Sequence, residues 1–124
     1  MKNSEIIKEI ETENFVWVIY LFIIGLSFLA NKFEKDYYIN GNIDDKEKYR
    51  IINIFIFSVV LVIYIYFFKE NIKSVNKLNC NDSYEKIMFN KLNLLATFLI
   101  VIAGIIYLYI AIKDKNLETE IAFN

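Results

Sequence analysis

Histidine and proline are absent from this chain of 124 residues, cysteine occurs once and glycine three times. Without histidine, the commonest general base and the commonest metal ligand are missing together. The single cysteine, Cys80, has no internal partner, so no intrachain disulfide forms and the redox compartment is left open. Cys80 also has no histidine to activate it, and neither a Gly-rich phosphate loop nor a serine elbow is present. The sequence therefore predicts no catalytic residue, no metal site and no cofactor, and the chain is read as not an enzyme. Net charge is −1, from fourteen basic and fifteen acidic groups. A strongly basic surface of the kind nucleic acid requires is lacking, so no nucleic-acid partner is expected.

Charge is also missing locally. No Asp, Glu, Lys or Arg occurs between Glu13 and Lys32, within "IINIFIFSVVLVIYIYFF" (51–68) or within "LNLLATFLIVIAGIIYLYIAI" (92–112). Hydrophobic residues make up 56% of the chain, above the ~45–50% of soluble domains. A membrane-spanning helix needs roughly 20 mostly apolar residues. Leu, Ile, Val and Phe each favour insertion by roughly 0.3–0.6 kcal/mol, and no ionised group opposes them in these runs. The runs are apolar all round, and a chain this short has no other layer to cover them. The leader "MKNSEIIKEIETEN" is acid-rich where a signal peptide is basic, so the first run is expected to be retained.

The resulting expectation is an all-α membrane protein, with three long transmembrane helices in an up-down-up bundle joined by short turns. Its single domain, 1–124, has spans at about 14–33, 51–68 and 92–112, with helical extensions at 4–13, 69–79 and 82–91. "DDKE" and "DSYE" suggest Asp44 and Asp82 as N-caps with Glu47 and Glu85 three residues on. Helices are thus predicted over about 4–39, 44–79 and 82–118. The extensions keep apolar stripes: Ile6, Ile7 and Ile10; Ile72, Val75 and Leu78; Ile87, Met88 and Leu92. Packing of all three stripes as a short bundle outside the lipid is expected.

Thr97, Gly104 and Ala111 lie seven apart, with Ala96 and Ala103 on an adjoining stripe. Small residues at that spacing let a neighbouring helix approach closely, within the chain or in a homo-oligomer. Asn53 and Ser27 join them as candidate packing residues. Trp17, Tyr20, Tyr64, Tyr66, Tyr107 and Tyr109 lie towards the span ends, where aromatic side chains anchor helices in the interface.

For orientation, each side of the expected topology carries seven basic residues. Lys32, Lys35, Lys46, Lys48, Arg50, Lys113 and Lys115 crowd the span ends on one side, whereas Lys2, Lys8 and Lys77 lie farther off on the other. That places the chain in the cell membrane, multi-pass, with its N-terminus outside and its C-terminus cytoplasmic. Its partners would be the lipid bilayer and either a membrane protein or further copies of itself. The expected role is that of a non-catalytic accessory, regulatory or immunity-type protein acting by helix packing and protein contact. The alternative is a holin-like oligomerising pore former.

Overall fold

A computed structural model describes residues 2–118, and among these it contains three long helices and no strand. Helix α1 covers Lys2–Asn40, α2 covers Ile43–Asn76 and α3 covers Tyr84–Lys113, with 39, 34 and 30 residues. At 1.5 Å per residue these are about 58, 51 and 45 Å long, against a hydrocarbon core of roughly 30 Å. All three are long and apolar enough to cross a membrane.

Local hydrogen bonding sets the helix ends, and it differs from the sequence expectation at both turns. Helix α1 stops where Gly41 takes a left-handed φ of 69° and its N–H donates to the Tyr37 carbonyl at 2.7 Å. A glycine accepts that backbone without the Cβ clash that disfavours it elsewhere. The cap of α2 is Asn42 rather than Asp44: Asn42 Oδ1 accepts the Asp44 N–H at 3.0 Å. Similarly, α3 is capped by Ser83 rather than Asp82, with Ser83 Oγ accepting the Lys86 N–H at 3.2 Å. Asp82 instead ties the turn together, accepting from the Asn79 N–H at 2.8 Å and from Lys86 Nζ at 3.2 Å. The third helix ends at Lys113, short of the predicted 118. There the Asp114 N–H makes the last helical bond to the Ile110 carbonyl, and Asp114 Oδ1 accepts the Glu118 N–H at 2.9 Å.

Buried positions recur every seven residues on each helix. Val16, Ile23 and Ala30 are buried on α1, Tyr49, Ile56 and Ile63 on α2, and Gly104 and Ala111 on α3. A seven-residue repeat slightly underwinds the 3.6-residue helical period, which is the pattern of left-handed helix crossing. Elsewhere the helices present large apolar side chains outward, among them Phe22, Phe28, Val62, Leu99 and Ile105. No more than 17% of any span's apolar window is buried.

Contacts divide the chain into two compact units, with the boundary inside α2 between Ile56 and Phe57. In the first unit, α1 and the start of α2 run antiparallel across the Gly41 turn. Lys46 Nζ lies 5.7 Å from the centre of the Tyr37 ring, and Lys48 Nζ lies 5.3 Å from that of Phe33. Such cation–ring contacts contribute about 0.5–1 kcal/mol at exposed sites. The extension of α1 leaves Ile6, Ile7 and Ile10 about half exposed. In the second unit, Val75, Leu78, Ile87 and Met88 are half-buried, whereas Ile72 and Leu92 are exposed.

Candidate functional site

The best-defined helix interface lies in the second unit, between the second half of α2 and α3. Phe57 stacks on Tyr107 with ring centres 5.9 Å apart, and Phe68 lies 5.8 Å from Phe98. Between these two pairs, a Cβ built on Gly104 would come within 3.2 Å of Leu61 Cδ1 and 3.4 Å of Tyr64 Cδ2. As residue number rises along α2 it falls along α3, so the two helices are antiparallel in this unit. At Gly104 the side chains of Leu61 and Tyr64 lie close because only a hydrogen stands where a side chain would separate the helices.

One turn beyond the apolar run of α2, a polar cluster crosses the same interface. Asn71 Nδ2 donates to Thr97 Oγ1 at 3.2 Å, and Asn93 Nδ2 donates to Asn71 Oδ1 at 3.3 Å. The Thr97 hydroxyl also lies 3.1 Å from the Asn93 carbonyl and 3.0 Å from that of Leu94. Asn71 thus uses both ends of its amide across the helix pair. Sequence reading missed it, because it lies in a charged extension outside the apolar run. Its spacing is informative nonetheless: Phe57, Tyr64 and Asn71 lie seven apart, as Thr97, Gly104 and Ala111 do on α3. Phe68, Lys91, Leu94, Leu95 and Phe98 line an open groove beside the cluster.

The other candidate packing residues are distributed differently. Gly104 and Ala111 are buried, Thr97 and Ala103 are half-buried, and Ala96 faces outward. Asn53 is buried in the first unit at 4% exposure. Ser27 is half-buried, and its hydroxyl donates to the Ile23 carbonyl of its own helix at 2.9 Å. Among the aromatic candidates, Trp17 is exposed and meets Tyr20 edge-on, with ring centres 5.7 Å apart. Tyr66 and Tyr109 are exposed, while Tyr64 and Tyr107 are half-buried and pack in the α2–α3 interface.

Charged groups gather at the turns. Arg50 Nη1 lies 3.3 Å from Glu47 Oε2, and Lys73 Nζ lies 3.4 Å from Glu70 Oε1. Among the described residues, no three Cys, Asp or Glu side chains come together in a way that could hold a metal ion. Cys80 is exposed in the second turn. What this arrangement provides is surface and packing: one tight helix pair, polar at one end, and large outward apolar faces. No protein-family model, no curated protein and no solved structure matches the chain.

Proposed function

We propose that the chain is a multi-pass protein of the cell membrane whose three helices cross the bilayer up-down-up. In this reading it serves as a non-catalytic accessory, regulatory or immunity-type protein that works by helix packing and contact with another protein. The supporting observation is the distribution of apolar surface. Phe22, Phe28, Val62, Leu99 and Ile105 point outward along helices long enough to cross a bilayer, while charge is confined to turns and extensions. In water, contiguous apolar faces of this extent would drive association, whereas lipid covers them without further protein. Lys32, Lys35, Lys46, Lys48 and Arg50 around the first turn favour a cytoplasmic first turn and C-terminus.

The holin-like alternative draws on the stripe of Thr97, Gly104 and Ala111 as a face for self-association. With Leu61 and Tyr64 lying against Gly104, that stripe is engaged within the chain, and the accessory reading keeps the better support. The test is induced expression in a bacterial host with a C-terminal reporter, following membrane potential and growth. Membrane-embedded product, unchanged potential and a cytoplasmic reporter are expected. Rapid depolarisation would overturn the accessory reading in favour of the pore former.

A further inference from the structure

The groove in the second unit is lined by Phe68 of α2 and by Lys91, Leu94, Leu95 and Phe98 of α3. The four α3 residues stand at i, i+3, i+4 and i+7, so they share one face of that helix. Four of the five lining residues are apolar, and Lys91 is the only charge among them. At the positions three and four residues away, α3 offers Lys91 only Ile87, Met88, Leu94 and Leu95. No carboxylate therefore occupies the places where ion pairs form along a helix. Lys91 is exposed, and its side chain makes no ion pair or hydrogen bond among the described residues. Of the acids in the same unit, Glu70 pairs with Lys73 and Asp82 with Lys86, while Glu85 lies six residues from Lys91, about 120° round the helix.

The groove is graded from end to end. Lys91 is the last charge before the third apolar run, and Phe68 closes the second. On the three-span reading, on which this inference rests, Lys91 stands at the lipid boundary and Phe98, seven residues on, lies about 10 Å deeper, within one half of a ~30 Å hydrocarbon core. A phospholipid has the same polarity in the same direction, with phosphate at the boundary and hydrocarbon inward. Spread over that length, the groove's volume of about 330 Å³ corresponds to a slot ~6 Å across, too narrow for a helix of ~10–12 Å but wide enough for one hydrocarbon chain. Charge points to the same occupant: segment 69–91 holds five lysines against three acids, whereas segment 32–50 holds five basic and five acidic residues.

We infer that this groove binds one anionic phospholipid, whose phosphate accepts a charge-assisted hydrogen bond from Lys91 Nζ and whose acyl chain lies along Leu94, Leu95 and Phe98 against Phe68. The lipid covers the seam between α2 and α3 where Leu95 and Phe98 are about half exposed. Removing the Lys91 charge should lower the preference for anionic over zwitterionic lipid about fivefold.

The test reconstitutes the full-length protein into phosphatidylcholine vesicles that carry a minor share of either spin-labelled phosphatidylglycerol or spin-labelled phosphatidylcholine, and reads the immobilised fraction of each by electron paramagnetic resonance. The unmodified protein should immobilise phosphatidylglycerol in preference, and Lys91→Gln should reduce that preference about fivefold. Leu95→Trp fills the groove at an exposed position and should reduce the immobilised phosphatidylglycerol although Lys91 is still present. Lys69→Gln removes an exposed charge at the same boundary but outside the groove, and should leave the preference as it was. An equal fall for Lys69→Gln and Lys91→Gln would overturn the site in favour of diffuse attraction to the charged segment. Alkaline extraction of the same vesicles separates the remaining outcomes. Release of the protein would overturn the three-span reading, whereas a retained protein with no preference for phosphatidylglycerol would overturn the groove alone.

Discussion

The first connection reverses the chain in two residues, the left-handed Gly41 and the capping Asn42, whereas the second uses seven, 77–83, and draws on more side chains. Gly41 holds a φ of 69° and closes α1 with its own N–H. In the second turn the Asp82 carboxylate accepts from the Asn79 N–H and from Lys86 Nζ, while Ser83 caps α3. The interfaces beside the turns differ in parallel. Next to the first, Lys46 and Lys48 lie over the rings of Tyr37 and Phe33. Next to the second, a helix pair carries direct amide–hydroxyl and amide–amide bonds and leaves little room for a side chain at Gly104. A backbone-determined turn concentrates its cost in one position, while a side-chain-determined turn and a close-packed interface spread theirs over several.

Substitutions at three positions sharpen this contrast. Gly104→Leu should have the largest effect, because a Cβ there would already press to 3.2 Å from Leu61 Cδ1 and the rest of a leucine side chain would have to displace Leu61 and Tyr64. Overpacking of this kind costs about 1–3 kcal/mol, and it should appear as a clear fall in the unfolding midpoint in detergent. An unchanged midpoint would mean that the helix pair is looser than the geometry requires. Gly41→Ala comes next at about 1–2 kcal/mol: nothing lies within 4 Å of the added Cβ, so the whole cost is the left-handed backbone. Gly41→Asn, which tolerates that backbone better, should recover part of the loss in the same assay. Asn71→Leu should be smallest, at about 1 kcal/mol, the usual net worth of hydrogen bonds at a partly exposed site. Hydrogen exchange at the start of α3 would reveal it, and no change there would show that Thr97 and Asn93 find other partners.

The three helices were legible because uncharged stretches of this length leave few structural alternatives. Helix ends were less so, since adjacent polar residues compete for the same backbone N–H groups. Asn42 lies two residues before Asp44, and Ser83 lies beside Asp82; all four side chains can cap, and which one does depends on turn geometry rather than composition. Gly104 stood out in sequence as a small residue on a seven-residue stripe. Asn71 did not, since its role comes from Thr97 and Asn93 on another helix, more than twenty residues away in sequence. The half exposure of Ile6, Ile7 and Ile10 was equally hidden. Periodicity shows which residues share a face of a helix, but not whether anything packs against it.

The two-residue link at Gly41 and Asn42 also bears on the speed of assembly. Closing a chain over so short a span loses little configurational freedom, and the contacts nearest the bend, Lys46 with Tyr37 and Lys48 with Phe33, join residues close in sequence. Folding rates rise as contacts become more local. The bend is therefore a natural nucleus, at which the end of α1 and the start of α2 can pair early.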